Sequence, residues 1–213
     1  DRIWAHAHPE FVVIPDHIKT LNDQIQRRAT YEPLAYIIGS IEFYGRNYLV
    51  TRDTLCPRPE TETMIELLTQ RINSQKEKSI DKMQFIDIGT GSGCIITTVA
   101  LELFEKNYDE ANLSFIGLDI SEPALRVANK NADQLGVTIQ FREFDMMQQS
   151  VSSYSTGPTT ILANLPYVPN EYAINDDARH EPAIALFAGD DGLDMYRELF
   201  EQVQTIQHHA TVC

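Results

Sequence analysis

Three glycines alternate with small polar residues in the series Asp87-x-Gly89-x-Gly91-x-Gly93, directly after a short apolar run. Glycine lets a backbone approach a ligand closely and adopt positive φ angles without a clash at Cβ. The spacing matches neither the G-x-G-x-x-G of dinucleotide sites nor a P-loop, and both of those bind phosphates. A glycine-rich connecting turn is the structural alternative. S-adenosylmethionine, a sulfonium without phosphates, has the chemistry we expect here, and the residues expected to hold it are Asp87, Gly89, Thr90, Gly91, Ser92 and Gly93.

Carboxylates follow the next two predicted strands. Asp119 ends the first of them, where a carboxylate can accept hydrogen bonds from both hydroxyls of an adenosine ribose. Asp145 follows the second, and we expect it to face the adenine amino group, with Met146 beside it at the cofactor. The alternative is a structural role, because aspartate is common in turns and caps helices.

The segment Asn164-Leu165-Pro166-Tyr167 follows the fourth predicted strand. Amide and aromatic amine nitrogens are poor nucleophiles because their lone pair is delocalised, so catalysis consists mainly of positioning them for in-line attack on a methyl carbon. Asn164 can accept one N–H on its side-chain oxygen, and the Leu165 carbonyl, stiffened by Pro166, can accept the other. Tyr167 can stack on the planar group. We predict Asn164 and Tyr167 as catalytic and all four residues as substrate-binding; a proline-containing turn is the alternative.

Strands and helices alternate from Gln84 onward, which predicts a parallel, doubly wound α/β sheet with ligands at the carboxyl ends of its strands. The predicted strands are Phe85–Ile88, Ser114–Leu118, Val137–Phe141 and Thr159–Ala163, and the predicted helices run over 94–104, 121–135 and 193–204. Thr211-Val212-Cys213 has the pattern of a fifth strand. Because the chain stops there, we expect later strands of the sheet to be missing.

The first third of the chain has a different organisation. Residues 1 to about 30 are expected to be helical, with Ile18, Leu21 and Ile25 at helical spacing. The β-branched and aromatic run from Tyr36 to Val50 predicts a β-hairpin that turns at 45–47. A proline-rich loop over 57–62 then leads into a helix whose predicted core face is Met64, Leu67, Leu68 and Ile72. We therefore predict domains over 1–32, 33–56 and 57–213: a helical remnant, a hairpin linker and a catalytic domain.

Composition excludes several classes of function. The 213 residues carry a formal net charge of -14, and no Lys/Arg cluster is present, which disfavours extended binding to nucleic acid. No apolar run approaches the roughly 18 residues of a membrane span. The 3 cysteines are scattered and the 6 histidines lack metal-ligand spacing, so we expect no disulfide framework and no metal site. Reduced cysteines indicate a cytoplasmic protein.

An ordered set of motifs spans residues from about 30 to 200. Besides the glycine loop and the Asn164 segment, it comprises Pro33-Leu34-Ala35-Tyr36-Ile37-x-Gly39, Glu42-Phe43-Tyr44-Gly45, Pro57-Arg58-Pro59-Glu60-Thr61-Glu62, Glu181-Pro182-x-x-Ala185-Leu186, Gly189-x-Asp191-Gly192-Leu193 and Tyr196. The set resembles the HemK/PrmC family of peptide chain release factor N5-glutamine methyltransferases. The resemblance implies a Rossmann-like class I fold, S-adenosylmethionine as cofactor and a release factor's Gly-Gly-Gln loop as substrate. It also implies that Asn164 contacts both substrates.

The chain departs from the family pattern in two places. Leu165 stands where the family usually has a first proline, which makes the segment similar to the Asn-Leu-Pro-Tyr of rRNA adenine-N6 dimethyltransferases. Only the last portion of the family's N-terminal helical domain, up to about Tyr31, is expected in this chain. The alternatives are therefore an adenine-N6 methyltransferase acting on RNA or DNA, and a binding module without activity. The roles of Arg58 and Glu60 do not follow from the sequence.

Overall fold

A computed structural model describes residues 2–10, 14–74, 82–206 and 210–213. The first part of the chain contains helices and a hairpin, in the order α1 (Arg2–Ala7), α2 (Pro15–Ala29), α3 (Leu34–Ile38), β1 (Ser40–Phe43), β2 (Arg46–Leu49) and α4 (Glu62–Ser74). The second part alternates strands and helices, in the order β3 (Met83–Ile88), α5 (Cys94–Glu105), β4 (Leu113–Asp119), α6 (Glu122–Gln134), β5 (Gln140–Glu143), β6 (Thr159–Ala163), α7 (Asp194–Val203) and β7 (Ala210–Val212).

The five strands β3 to β7 form one sheet in the order β5-β4-β3-β6-β7, and every neighbouring pair is parallel. The predicted doubly wound α/β fold is therefore confirmed. The chain steps outward from β3 through β4 to β5 and then returns to place β6 on the other side of β3. This reversal makes the carboxyl ends of β3 and β6 the switch point at which such sheets bind ligands.

The sheet is covered on both faces, which explains its nearly continuous apolar strands. Phe85 and Leu162 face a core formed with α4, α5 and α6, whereas Ile86 and Ile161 face a second core that includes Leu199 of α7. Alternate residues of a strand point to opposite faces, so β3 contributes to both cores. The central strand is thereby fixed in register, and the loop that follows it has a defined starting point.

Several predicted boundaries are confirmed, and others are wrong. Ser121 caps α6 by accepting the Ala124 N–H at 3.3 Å, and Gly136 ends the helix with a φ of 70°. The third strand begins at Gln140 instead of Val137. Val137 follows the end of α6, and its side chain is buried in the core before the strand begins. In α4 the predicted core residue Leu67 is 61% exposed, and Ile65 is buried in its place.

The hairpin is shorter than predicted. Tyr36 lies in α3, with its side chain buried and its hydroxyl donating to the Thr54 carbonyl at 2.5 Å. The turn is formed by Tyr44 and Gly45, with φ angles of 51° and 70°. Two successive positive φ angles suit the right-handed twist of a two-residue hairpin loop, which places the turn one residue before the predicted one.

The predicted N-terminal helix is divided into α1 and α2; residues 1 and 11–13 of that prediction lie outside the described residues. Ile18, Leu21 and Ile25 share one exposed side of α2. The end of α2 is joined to the rest of the chain by Arg27, whose guanidinium donates two hydrogen bonds to the buried carboxylate of Glu32. Arg52 binds the same carboxylate from beyond the hairpin, at 2.9 Å.

Candidate active site

The glycine loop bends sharply over the end of β4. Gly89, Gly91 and Gly93 have φ angles of 69°, 55° and 74°, a conformation that other residues rarely adopt. The N–H groups of Gly89 and Thr90 both donate to the Leu118 carbonyl, at 2.8 and 3.0 Å. The loop therefore presents backbone, without side-chain bulk at its three glycines, to the space above the sheet.

Gly93 meets α6 so closely that an added side chain would have to displace its neighbours. A Cβ at this position would stand 3.0 Å from the Cβ of Ala128 and 3.2 Å from its Cα. Asn131, on the next turn of α6, holds the same loop by donating to the Ser92 carbonyl at 2.8 Å. Its amide also exchanges two hydrogen bonds with the backbone of Leu49, so one side chain joins the hairpin, α6 and the glycine loop. Sequence analysis missed Asn131.

Asp87 lies beneath the loop and is not among the residues that line the cleft above it. Its Oδ2 accepts a hydrogen bond from the Thr90 hydroxyl at 2.7 Å, whereas its Oδ1 has no partner among the described residues. Complete burial, together with the nearby charge of Asp119, raises the pKa of this carboxyl to about 7, although the hydrogen bond from Thr90 lowers it. Of the residues predicted to hold the cofactor, Asp87 therefore supports the glycine loop from below and does not line the cleft.

Asp119 ends β4 and faces the cleft. Its Oδ2 accepts the Gly91 N–H at 2.8 Å and its Oδ1 accepts the Ser121 N–H at 2.9 Å. Burial raises the pKa of this carboxyl above its ordinary value, while the two N–H groups lower it. Each carboxylate oxygen has further acceptor capacity, which a ligand hydroxyl can use.

Asp145 and Met146 follow β5 and line the opposite wall of the cleft. Asp145 orders its own loop, since its Oδ1 accepts the Met147 N–H at 2.9 Å. Met146 is buried, and Phe144 lies beside it in the same wall. This wall is therefore apolar with one carboxylate at its edge.

The Asn164 segment leaves β6 at the same edge of the sheet. Asn164, Leu165 and Pro166 line the cleft, whereas Tyr167 is not among its lining residues and is 61% exposed. The Asn164 amide nitrogen lies 3.5 Å from the Thr61 hydroxyl, which leaves the side-chain oxygen to accept from a ligand. The Leu165 side chain packs under the glycine loop, with Cδ2 at 3.4 Å from the position of a Cβ on Gly89.

These elements enclose a cleft of about 350 Å³ at the switch point of the sheet. Its lining includes the carboxylates Asp53, Asp119 and Asp145, and none of the described residues that line it is Lys, Arg or His. Such a site attracts a cationic ligand and disfavours a polyphosphate. The volume lies in the range of clefts that hold small molecules.

One wall of the cleft is held by an ion pair that sequence analysis did not identify. Arg58 pairs with Glu181, whose buried carboxylate also accepts the Cys56 N–H at 3.0 Å. The pair joins the proline-rich loop, including the lining residue Pro57, to the segment around Pro182. Arg58 thus acts on the wall of the cleft, whereas Glu60 is exposed.

Two further properties concern the described residues as a whole. They contain no group of three or more His, Cys, Asp or Glu side chains arranged to hold a metal ion. None of their helices combines the length and the apolar character needed to cross a membrane.

The chain matches two protein families. Residues 79–164 match a methyltransferase domain, and residues 1–39 match the PrmC N-terminal domain. A release factor glutamine methyltransferase from Koribacter versatilis is 34% identical over 209 residues, which cover 95% of this chain and 69% of that protein. A protein of the same name from Neisseria gonorrhoeae is 38% identical over 193 residues, covering 87% of this chain and 64% of its own length.

The relatives are longer than this chain. A Bacillus anthracis release factor glutamine methyltransferase is 36% identical over 82% of this chain, which spans 59% of that protein, and the chain spans 58% of the Bacillus subtilis one. Among solved structures, the hMettl16 catalytic domain in complex with MAT2A 3'UTR hairpin 6 is similar with a TM-score of 0.56 at 14% identity, over 82% of this chain and 64% of that one. At this identity the similarity shows the fold alone.

Proposed function

The chain belongs to the release factor glutamine methyltransferase family, and we propose that it methylates the side-chain amide of the glutamine in a release factor's Gly-Gly-Gln loop, with S-adenosylmethionine as methyl donor. One observation carries the proposal: the glycine loop and the Asn164 segment line a single cleft at the carboxyl edge of the sheet. A donor held by the first and an acceptor held by the second would therefore meet in that cleft.

The chemistry of the cleft suits this cofactor. The described residues that line the cleft include three carboxylates and no cationic side chain, which favours a sulfonium and an ammonium over phosphates. We propose that Asp119 binds the ribose hydroxyls and that Asp145 and Met146 border the adenine. Residues Gly89 to Gly93 would lie against the rest of the cofactor, and Asp87 and Thr90 would support the glycine loop. When bound, S-adenosylmethionine supplies a methyl group with a neutral thioether, S-adenosylhomocysteine, as leaving group.

The Asn164 segment binds the acceptor in this proposal. An amide nitrogen attacks a methyl carbon poorly because its lone pair is delocalised, so the site holds it in line with the methyl group. The Asn164 side-chain oxygen and the Leu165 carbonyl accept the two N–H hydrogens. These acceptors gain strength as positive charge develops on the nitrogen, and one proton leaves after transfer. Tyr167, exposed and adjacent to the lining residue Pro166, stacks on the planar amide in this proposal.

The partner we propose is a protein, and the compartment is therefore the cytoplasm, where release factors act. A formal net charge of -14 disfavours a phosphate backbone as the surface to be bound. We propose residues 1–32 as part of the domain that holds the release factor, 33–56 as its linker and 57–213 as the methyltransferase domain. The exposed apolar side of α2 supports the first of these assignments.

A second candidate is methylation of an adenine N6 in RNA or DNA, which Leu165 favours because the segment then has the Asn-Leu-Pro-Tyr form. The side chain of Leu165 is 2% exposed and packs under Gly89, so its difference from proline is absorbed in the core. The backbone carbonyl that the acceptor needs is the same for either residue. The structure therefore gives Leu165 no contact that selects adenine.

Mass spectrometry of a release factor's Gly-Gly-Gln peptide, after incubation with the chain and S-adenosylmethionine, tests the proposal. We expect one methyl group on the glutamine and none on a peptide with asparagine in its place. Methylation of naked rRNA by a chain that leaves the release factor unmodified would assign the second candidate. If calorimetry detects no binding of S-adenosylmethionine to the folded chain, the protein is a binding module without this activity.

A further inference from the structure

Helix α7 contacts two loops of the cleft through polar side chains. The Tyr196 hydroxyl donates to the Leu165 carbonyl at 3.3 Å, and the Gln202 amide nitrogen donates to the Met146 carbonyl at 2.6 Å. Tyr196 and Gln202 are six positions apart in the chain, which corresponds to about 9 Å along a helix axis. Neither side chain is among the residues that line the cleft, so each acts on it through a backbone carbonyl.

At the first contact, the hydroxyl acts on the carbonyl proposed to accept a substrate N–H. A carbonyl oxygen has two lone pairs, so the bond from Tyr196 leaves one for the substrate. Pro166 restricts Leu165 to extended conformations but does not by itself fix the direction of the Leu165 carbonyl. Burial raises the pKa of Tyr196, so its hydroxyl remains a protonated donor at neutral pH.

At the second contact, Gln202 holds the loop that follows β5 at three points. Its Nε2 donates to the carbonyls of Met146 and Gln149, at 2.6 and 3.0 Å, and its Oε1 accepts the Val151 N–H at 2.8 Å. The side chain is 8% exposed, and a buried amide is stable only when its polar atoms have partners. Between the two contacts, the fully buried Leu199 packs into the core of this face of the sheet.

The two contacts join the proposed acceptor loop to the proposed cofactor loop through one rigid element. Resting on the proposed function, we propose that α7 is a positioning helix. In this role Tyr196 directs the free lone pair of the Leu165 carbonyl toward the substrate amide, and Gln202 sets the position of Met146 on the cofactor side. Both are positioning residues, because neither side chain is among those that line the cleft.

The variant Tyr196→Phe tests the first contact, since it keeps the ring and removes only the donor. We expect kcat on the release factor peptide to fall about tenfold, as small misplacements of a reacting group do, with the KM and Kd for the cofactor within about twofold of wild type. The thermal midpoint should change little. Tyr172→Phe, at an exposed tyrosine outside the cleft, is the matched control and should retain full kcat.

A second readout of the same variant does not depend on turnover. Leu165-Pro166 is the one Leu-Pro pair in the sequence, so labelling with 1-¹³C-leucine and ¹⁵N-proline isolates a single carbonyl resonance. Loss of the hydroxyl donor should move this resonance to lower frequency, whereas Tyr172→Phe should leave it in place. An unchanged resonance in Tyr196→Phe overturns the contact, and with it the proposal.

In a Glu198→Gln background, the variant Gln202→Glu tests the second contact, because it retains the acceptor for Val151 and removes the donor to the carbonyls of Met146 and Gln149. The background is needed because Gln202 donates to the Glu198 carboxylate at 2.7 Å, and a second carboxylate there would be repelled. We expect a Kd for S-adenosylhomocysteine raised about tenfold, the order of effect seen when a residue that orients a ligand group is lost. Glu198→Gln alone, which keeps Gln202 and lies outside the cleft lining, is the matched control and should leave the Kd unchanged. Equal affinities in the two variants overturn the role of Gln202.

Failure of this inference can be distinguished from failure of the proposed function. A wild-type chain that binds cofactor but leaves the release factor peptide unmethylated overturns the proposed function before any variant is made. An active wild type with an equally active Tyr196→Phe variant overturns the positioning role alone. A Tyr196→Phe variant that loses cofactor affinity and thermal stability in parallel with kcat also overturns it, since the hydroxyl is then structural.

Discussion

The backbone N–H of Gly91 donates to the Asp119 Oδ2 across 2.8 Å, joining the loop after β3 to the end of β4. The same carboxylate accepts the Ser121 N–H on its other oxygen. Asp119 therefore shapes the glycine loop and the start of α6 while it faces the cleft. A residue proposed to bind a ribose is thus also one that holds the loop in place.

Replacing Asp119 by asparagine should weaken cofactor binding. The Asp119 carboxylate accepts the Gly91 N–H on one oxygen and the Ser121 N–H on the other. An asparagine side chain has an NH₂ group in place of one of these oxygens, so one N–H group would face a second donor, and the negative charge is lost as well. We expect the Kd for S-adenosylhomocysteine, measured by calorimetry, to rise at least about tenfold, with about 1–3 kcal/mol lost in the free energy of unfolding.

Asp109→Asn is the matched control for this variant. Asp109 also accepts a backbone N–H, from Ala111 at 3.0 Å, but it lies on an exposed turn away from the cleft. Its replacement should leave cofactor affinity unchanged. Similar losses of affinity in the two variants would show that Asp119 has no specific part in the site.

Asn164→Ala should abolish methyl transfer and leave cofactor binding largely intact. The substitution removes the side-chain oxygen proposed to accept a substrate N–H, and loss of one such group typically costs about 10²–10³ in kcat. Asn170→Ala, at an exposed asparagine of the same connection, provides the comparison. Parallel loss of transfer and of S-adenosylhomocysteine binding would mean that Asn164 has a structural role.

Gly93→Ala should destabilise the protein more than Gly136→Ala. Both glycines have a left-handed backbone, with φ of 74° and 70°, so an added Cβ costs each about 1–2 kcal/mol. Only at Gly93 does that Cβ also meet Ala128, at 3.0 Å, whereas nothing lies within 4 Å of it at Gly136. Urea unfolding of the two variants measures the difference, and equal losses would contradict the close approach of the loop to α6.

Acid should weaken the contribution of Glu32 to stability. Hydrogen bonds from Arg27 and, to a smaller extent, from Arg52 lower the pKa of Glu32 from 4.5 to about 2. Because the folded state binds the proton less readily than the unfolded state, this contribution is complete above about pH 4.5 and is lost as the pH falls toward 2.

The comparison that isolates this effect is Glu32→Gln against wild type, by urea unfolding between pH 2 and 7. The difference in unfolding free energy should be largest above pH 4.5 and should shrink below it. Glu171→Gln, at an exposed carboxylate, should show no such dependence. A constant difference for Glu32→Gln across the pH range would exclude the lowered pKa.

The sequence predicted the sheet, and the edge of the sheet at which the cleft lies, because both depend on local patterns. Apolar runs of strand length recur between helices, and parallel strands place their carboxyl ends at one edge. Gly89, Asp119, Asp145 and Asn164 each follow such a run, so their proximity in the cleft could be anticipated. The helical conformation of Tyr36 could not be anticipated. Its aromatic and β-branched neighbours have strand propensity, and tertiary packing overrides that propensity in the folded protein.

The sequence by itself determined the order of strands and helices and the polar residues at the strand ends. Tertiary structure alone decided which of those residues reach the cleft: Asp87 supports the loop from below, and Tyr167 is exposed outside the cleft lining. It also decided the contacts of Asn131 and Tyr196, whose side chains bind backbone groups far away in the chain. Such bonds follow no periodicity in the sequence, because their partners are brought together only when the sheet and its helices pack.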